Sequence, residues 1–264
     1  MMLPVAAQSL HVTTLEVAAT LALVAIAAAV SFWRDAGLER DLGIAVVRSA
    51  VQLTAVGYLI QAIFDSDSLW LVVALLAGMV AFGAFTARRR AKAVPNALGP
   101  LLVALGAAAA ATLALVLALD VFPATPRYLV PVGGMVIGNS MTSAAVSLNR
   151  LADDMRSQAN VVEATLALGA TARQASAGLL TRSLRSGLIP LIDSTKTTGM
   201  VFFPGTMVGT LLAGATPVNA VRLQLILLWT LLGSVAISAL LATALSYRRF
   251  FTPAQQLREL PAEM

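Results

Sequence analysis

The sequence predicts an all-α polytopic membrane protein with about seven transmembrane helices. Of the 264 residues, 58% are hydrophobic and only 12% are charged, whereas soluble domains average roughly 45–50% apolar and about 25% charged residues. A helix of about 20 apolar residues crosses a bilayer, and the apolar residues here form several runs of that length. This balance excludes a water-soluble enzyme and predicts one transmembrane permease domain over residues 1–264.

Seven apolar stretches are long enough to be spans, and they cover residues 15–32, 42–64, 69–85, 98–119, 128–148, 187–214 and 221–247. The first stretch is followed directly by Trp33 and Arg34 rather than by a cleavage site, so we expect it to be retained. The sixth stretch exceeds the length that a membrane requires and contains Pro190 and Pro204. We therefore expect a broken or kinked helix there.

The distribution of basic residues predicts the orientation, because Lys and Arg collect on the cytoplasmic side of a membrane protein. One set of alternate connections holds nearly all of them: Arg34, Arg40, Arg88, Arg89, Arg90, Lys92, Arg150, Arg156, Arg173, Arg182, Arg185, Arg248, Arg249 and Arg258. The other set contains Arg127 and Arg222. This asymmetry predicts a multi-pass protein of the cell (inner) membrane, with the N-terminus outside and the C-terminus in the cytoplasm. Residues 151–186 become the long cytoplasmic segment.

That segment contains the run Glu-Ala-Thr-Leu-Ala-Leu-Gly-Ala-Thr at residues 163–171. It predicts a short helix stopped by a glycine and followed by a second amphipathic piece. The run resembles the coupling helix of ATP-binding cassette (ABC) permeases, which sits in a groove of the ATPase subunit. The residues that this resemblance assigns to ATPase coupling are Glu163, Ala164, Leu168, Gly169, Ala170 and Thr171. The alternative is an interfacial helix whose basic neighbours face lipid headgroups.

The residue inventory limits the chemistry of the chain. Cysteine is absent and His11 is the one histidine, which excludes disulfides, iron–sulfur clusters and His-based metal cages. Neither Lys92 nor Lys196 follows a glycine, so no phosphate-binding loop ending in Gly-Lys-Ser/Thr exists. We therefore expect this chain to bind no cofactor of its own, with ATP–Mg held by a separate ATPase chain. The basic net charge does not indicate a nucleic-acid partner.

Ionisable groups within the spans are the first candidates for a transport pathway, because such groups are costly in lipid and usually face a water path. They are Arg48, Asp193 and Lys196. Asp193 and Lys196 are three residues apart and share a helical face. Asp193 is a candidate metal ligand or counter-ion, and the alternative is an ion pair that only fixes helix packing. Arg48 either lines the path or extends to the membrane interface.

Uncharged residues in the spans add further candidates. Met135, Met141 and Met207 carry thioethers, which suit soft metals such as Cu(I), but methionine also fills gaps in apolar cores. Asn139, with Ser140 and Thr142, is a candidate for polar lining or for bonds between helices. The two G-x-x-x-G runs at residues 134–138 and 205–209 predict close helix contacts, within the chain or across a dimer.

The sequence is similar to the iron-export permeases of bacterial ABC transporters, whose plant relatives are linked to aluminium tolerance. The motifs that carry the resemblance are RSAVQL at 48–53, PVGGMVIGNSM at 131–141, LGAT at 168–171 and IPLIDSTKTTGMVFFPGTMVG at 189–209. The resemblance implies a second copy of this chain and two ATPase subunits, with export from the cytoplasm. It also adds Gln52, beside Arg48, to the pathway candidates.

The favoured function is therefore the permease subunit of an ABC transporter that exports iron, another metal or a metal chelate across the lipid bilayer. An ABC permease for a non-metal solute and an ion-coupled secondary transporter are the alternatives. An intramembrane protease built on Ser140 is disfavoured, because His11 precedes the first span and cannot act as its base. The chain is expected to be a transport subunit and not an enzyme.

Overall fold

A computed structural model of the chain describes residues 13–66 and 68–258. The regular secondary structure in these ranges consists of nine α-helices and one 3₁₀ helix. The chain divides into two compact units, Met1–Asp67 and Ser68–Met264. His11 lies outside the described residues, and the expectation of one transmembrane domain stays a prediction.

The first unit is a helical hairpin. Helix α1 spans Thr14–Trp33 and α2 spans Glu39–Ser66. The connection contains Gly37 at φ +68°, a left-handed conformation that glycine adopts without a steric penalty. The hydroxyl of buried Ser31 accepts a hydrogen bond from the Leu38 N–H at 3.0 Å. This bond satisfies a backbone donor at the turn and joins the two helices.

The second unit is a helical bundle with α5 at its centre. Its helices are α3 (Leu69–Arg90), α4 (Leu98–Ala118), α5 (Pro126–Ser157), α6 (Ala159–Ala167), α7 (Ala172–Thr197), α8 (Gly205–Leu212) and α9 (Pro217–Ser246), followed by the 3₁₀ helix (Tyr247–Phe250). Helix α5 packs against α3, α4, α7 and α9, and α4 packs against α9. The two short helices are peripheral, with α6 on α7 and α8 on α9.

The largest buried cluster lies at one end of this bundle. It joins the end of α3 and the start of α4 to the last turns of α5 and to the residues that follow α9. Its fully buried large side chains include Leu101, Leu105, Leu148, Leu151, Met155 and Phe250. Helix α6 and the start of α7 follow directly from this cluster, so the region between α5 and α7 begins on a packed base.

Six helices in the described part of the chain are long and apolar enough to cross a membrane: Leu15–Trp33, Glu39–Ser66, Leu69–Arg90, Leu98–Ala118, Pro126–Ser157 and Pro217–Phe250. They coincide with the predicted spans except the sixth, 187–214. The all-helical, multi-pass class is thereby confirmed. The count of seven spans and the orientation of the termini stay predictions.

The predicted sixth span is interrupted. Helix α7 continues past Pro190, which removes one backbone hydrogen bond without ending the helix. The helix ends at Thr197, and Gly199 then adopts φ +86° and donates its N–H to the Phe202 carbonyl at 2.9 Å. Helix α8 begins only at Gly205. The expected break is present, and it lies at residues 198–204 and not at Pro190.

Helices α5 and α7 approach each other closely at Gly187. The Ser143 hydroxyl donates to the Gly187 carbonyl at 2.8 Å. A Cβ added at Gly187 would overlap the Ser147 hydroxyl and lie 2.8 Å from the Ser143 carbonyl oxygen. Only glycine therefore permits this contact, and the hydroxyl-to-carbonyl bond stabilises it in an apolar setting.

One glycine of the G-x-x-x-G runs makes the predicted close contact within this unit: a Cβ added at Gly134 would lie 3.0 Å from the terminal methyl group of Met79 on α3. A closer glycine contact of α5 with α3 is at Gly133, where an added Cβ would overlap the end of the Leu76 side chain. In the described structure, added Cβ atoms at Gly138, Gly205 and Gly209 would meet nothing within 4 Å. These three glycines leave open surface, and the predicted contact across a dimer stays a prediction.

We expect Gly187→Ala to lower the free energy of unfolding by about 1–3 kcal/mol, because the added methyl group forces α5 and α7 apart. Thermal melting of the purified chain in detergent is the measurement. Gly178→Ala is the matched control, since it lies on the same helix with open space around it, where alanine favours the helix by about 0.5–1 kcal/mol. Equal melting temperatures for the two variants would contradict this account of the helix crossing.

Candidate functional site

An open pocket of about 220 Å³ lies where α5, α7 and α9 meet. It is lined by Asn139, Thr142, Ser143 and Val146 of α5, by Gly187, Pro190, Leu191 and Ser194 of α7, and by Val235 of α9. Polar side chains that face a cavity inside a membrane-spanning bundle are typical of a solute path. The pocket depends on the Gly187 contact, because that contact sets the distance between its two main walls.

Two α5 side chains on this pocket satisfy their donors within their own helix. The Asn139 amide donates to the Met135 carbonyl at 2.8 Å, and the Thr142 hydroxyl donates to the Gly138 carbonyl at 3.2 Å. Both side chains are exposed in the single chain, and their oxygen atoms remain acceptors. Ser140, by contrast, is fully buried and does not line the pocket.

The predicted pairing of Asp193 with Lys196 is present near the end of α7. The Lys196 Nζ lies 3.5 Å from Asp193 Oδ1, and the two side chains are 70% and 63% exposed, respectively. An exposed pair of this kind contributes about 0–1 kcal/mol to stability in water. Asp193 is adjacent to Ser194 but does not itself line the pocket. The pair is thus available to a solute or to a facing chain.

The three methionines predicted for the pathway do not line the pocket. Met135 and Met141 are half-buried and pack against two different apolar clusters, as gap-filling methionines do. Met207 is half-buried on α8. Arg48 and Gln52 belong to the first unit, where both are exposed on α2. Of the predicted residues, Asn139 therefore has the clearest structural support for a lining position.

The described part of the chain brings few potential metal-ligating side chains together. Within residues 13–66 and 68–258, no three His, Cys, Asp or Glu side chains come close enough together to hold a metal ion. A cation near the end of α7 would meet the carboxylate of Asp193 and the hydroxyl and carbonyl oxygens around it. Such oxygen ligands suit hard cations better than soft ones.

The piece of chain beyond the interruption is fixed to α9. The Thr206 hydroxyl donates to the side-chain oxygen of Gln224, and Gln224 is buried. A buried amide needs such a partner, because an unpaired polar group in an apolar setting is costly. This bond holds α8 beside α9, so the interrupted segment has an anchor on each side of residues 198–204.

The predicted coupling helix and its glycine stop are present in α6 and the turn that follows it; residues 159–171 are called the coupling segment below. Helix α6 ends in a Schellman motif, in which Gly169 at φ +91° donates to the Leu166 carbonyl and Ala170 donates to the Thr165 carbonyl. Thr171 then caps α7, because its hydroxyl accepts from the Gln174 N–H at 3.3 Å. The run Leu-Gly-Ala-Thr at 168–171 thus encodes a helix stop followed at once by a helix start.

The exposure of the predicted coupling residues is consistent with a docking surface. Val162 is buried against the bundle, whereas Glu163, Ala164 and Gly169 are exposed. Leu168, at the end of α6, is 89% exposed. An acidic side chain on α6 and an apolar side chain at its C-cap are thus both exposed. The coupling role of these residues stays a prediction.

The C-terminal residues pack beside the coupling segment and form a cleft with it. The cleft has a volume of about 520 Å³ and lies between Glu163 to Ala170 on one side and Ala254 to Leu257 on the other. The Gln255 side-chain oxygen accepts from the Ala172 N–H, at 3.0 Å, in the first turn of α7. Sequence reasoning missed this contact, because the two residues are 83 positions apart.

Asp154 is a second residue that sequence reasoning missed. Its carboxylate is buried on α5 and lies 3.1 Å from Arg150 Nη2 and 3.4 Å from Arg182 Nε of α7. The spacing of Arg150 and Asp154 by four residues indicates an ion pair on one helix. Nothing in the sequence indicates that Arg182 of α7 contacts the same carboxylate. This carboxylate joins α5 to α7 on either side of the coupling helix.

We expect Asp154→Asn to destabilise the chain by about 1–3 kcal/mol, because the carboxamide loses the charge-assisted bonds to both arginines. Thermal melting in detergent measures the effect. Asp153→Asn is the matched control, since Asp153 is the next residue along the helix and is exposed. A loss of stability as large in the control as in Asp154→Asn would contradict a specific role for the buried carboxylate.

The apolar helices define a multi-pass membrane protein, in which the interrupted segment and the polar-lined pocket form the candidate site. The chain belongs to the uncharacterised protein family UPF0014, whose profile matches residues 14–251. This match and the relatives described next confirm the resemblance to the iron-export permeases and their plant relatives. No solved structure matches the chain.

Curated relatives cover nearly the whole chain. The UPF0014 membrane protein STAR2 of Oryza sativa subsp. japonica is 43% identical over 244 residues, which are 92% of this chain and 85% of that protein. The protein ALUMINUM SENSITIVE 3 of Arabidopsis thaliana is 38% identical over 91% of this chain and 88% of its own length. The probable iron export permease protein FetB of Escherichia coli (strain K12) is 33% identical, over 94% of this chain and 95% of its own.

Proposed function

We propose that this chain is the membrane-spanning permease subunit of an ABC transporter that exports iron, another metal or a metal chelate. A separate ATPase subunit, in two copies, binds ATP–Mg and drives a dimer of this chain. The observation that carries the proposal is the coupling segment, a short helix with a glycine stop at which Glu163, Ala164 and Leu168 are exposed. The FetB relative, named as a probable iron export permease, supports the direction and the cargo class.

The connections of the coupling segment support a mechanical role. Helix α6 follows α5 directly and leads into α7 through the turn at residues 168–171. Both α5 and α7 line the polar pocket. A displacement of α6 by the ATPase would therefore act on both helices that form the pocket walls, as rigid-body transitions in allosteric proteins do.

The membrane topology belongs to the same proposal. The segment formed by α7 and α8 supplies the seventh crossing, so that the N-terminus is outside and the C-terminus is in the cytoplasm of the inner-membrane protein. The accumulation of Arg and Lys at the ends of α3, α5 and α9 supports this orientation. The open surface at Gly138, Gly205 and Gly209 is available for contact with the second copy.

The pathway residues proposed for the cargo are Asn139, on the pocket, and Asp193 with Lys196, at its end. One carboxylate per chain gives weak coordination, which suits passage because transport requires release as well as binding. Lys196 beside Asp193 favours a cargo with anionic groups, such as a metal chelate. Export of a non-metal solute of this charge pattern, and ion-coupled secondary transport, are the alternatives.

Charge reversal tests the coupling role. We expect Glu163→Lys to weaken co-purification with the ATPase subunit and to lower transport-linked ATP hydrolysis about tenfold, since losing a charge-assisted contact costs about 1.5 kcal/mol or more. Membrane insertion should be unchanged, because Glu163 is exposed. Asp153→Lys is the control on the neighbouring helix. Normal assembly and activity of Glu163→Lys would exclude the proposed contact.

Proteoliposomes that contain this chain and its candidate ATPase subunit test the cargo. We expect ATP-dependent movement of Fe(II) or an iron chelate, and a loss of about tenfold in Asp193→Asn, because the variant keeps the shape but removes the charge. Mn(II) and Cu(I) serve as competitors. Asp65→Asn, at the exposed end of α2, is the matched control.

The outcomes separate the alternatives. ATP hydrolysis without metal movement would retain the ABC permease and reject the metal cargo. Solute movement that follows an ion gradient without ATP would favour a secondary transporter. Full transport by Asp193→Asn would remove this carboxylate from the pathway.

A further inference from the structure

Two neighbouring pockets at one end of the bundle are lined by basic side chains. The first, of about 370 Å³, contains Arg248, Arg249 and Arg258. The second, of about 480 Å³, contains Arg88, Arg89 and Lys92. Both pockets share Pro95 and Asn96, in the connection between α3 and α4, and neither has an Asp or Glu in its lining.

The backbone holds the three arginines of the first pocket together. Arg248 and Arg249 lie on the 3₁₀ helix, which buried Phe250 anchors to the core. The chain then turns back, and Arg258 donates its N–H to the Phe250 carbonyl at 2.8 Å and its Nε–H to the Phe251 carbonyl at 3.1 Å. Arg249 extends toward the first turn of α4, where its Nη2 lies 3.9 Å from the position of a Cβ added at Gly99.

The described structure gives these guanidinium groups no carboxylate partner. Across residues 13–66 and 68–258, no carboxylate lies within 4.0 Å of Arg248, Arg249 or Arg258 as an ion pair. Like charges held in one pocket repel one another, and an anion bound between them removes that repulsion. Arginine forks bind phosphate oxygens in bidentate geometry.

An apolar surface adjoins the same pocket and indicates which anion fits. Leu245 lines the pocket and is 40% exposed, and Leu240 and Ile237 are exposed further along α9. All three belong to a helix long and apolar enough to span the membrane. A ligand with a phosphate and an acyl chain would satisfy the arginines and this apolar strip together, whereas free phosphate would satisfy only the arginines.

We propose that Arg248, Arg249 and Arg258 form a binding site for the headgroup of an anionic phospholipid, with an acyl chain lying along α9. Basic pockets between transmembrane helices are known to hold acidic headgroups on the cytoplasmic side. The site is distinct from the pocket between α5, α7 and α9. It does not depend on the identity of the cargo or on the ATPase partner.

The test uses the full chain, purified in detergent, with phosphatidylglycerol, phosphatidylcholine and inorganic phosphate as separate probes. Native mass spectrometry counts bound lipid, and thermal melting reports stabilisation. We expect the chain to bind phosphatidylglycerol selectively. We also expect phosphatidylglycerol, but neither phosphatidylcholine nor inorganic phosphate, to raise its melting temperature. Arg249→Gln/Arg258→Gln should weaken this binding by about fivefold for each guanidinium removed, since one basic residue near an anionic surface contributes about 1 kcal/mol.

The controls make the result specific to the pocket. Arg40→Gln/Arg185→Gln removes the same charge from exposed positions elsewhere and should retain selective binding. Arg249→Gln alone serves if the double variant misfolds, because the Arg249 side chain makes no hydrogen bond within the described structure. Equal losses in both double variants, equal binding of phosphatidylcholine, or equal stabilisation by inorganic phosphate would each overturn the proposal.

Discussion

The contact between α5 and α7 at Gly187 is the constraint on which the functional region depends. It brings the two helices so close that a hydroxyl of one bonds to a carbonyl of the other. On one side of this contact lies the pocket between α5, α7 and α9, and on the other lies the coupling segment. Because lipid supplies no hydrophobic force between helices, close packing and such bonds must hold them together.

Electrostatics reinforces the same pair of helices where the chain leaves the bundle. The buried carboxylate of Asp154 holds one arginine from α5 and one from α7, and the Schellman motif then directs the chain from α6 into α7. The C-terminal residues complete this region by accepting a hydrogen bond from the first turn of α7. Three parts of the sequence thus converge on one short helix, whose outer face remains exposed.

Patterns within short stretches of sequence predicted the fold well. Apolar runs located the helices, and Gly169 marked the end of α6, because both signals depend on neighbours along the chain. The interruption was expected from prolines, yet α7 continues through Pro190 and ends where Gly199 turns the chain. Proline removes only one hydrogen bond, and the surrounding helix can absorb that loss.

Contacts between distant residues were beyond such patterns. The sequence does not indicate that Gly187 is a helix contact, because its role depends on Ser143 and Ser147 of a facing helix. The methionines could be placed in a path or in a core by chemistry alone, and packing puts Met135 and Met141 against apolar clusters. Asn139 was predicted to line the path because an amide within the lipid requires a partner, and Asn139 does lie on the pocket.

The continuity of α7 gives its two ends different amplitudes of motion. At 1.5 Å per residue, Gly187 divides the helix into arms of about 24 Å toward Thr171 and about 15 Å toward Thr197. A rigid tilt about that glycine moves the ends in opposite directions, by about 2 Å and about 1.3 Å for each five degrees. In such a tilt about Gly187, a larger displacement at the turn after α6 is accompanied by a smaller, opposite displacement beside Asp193.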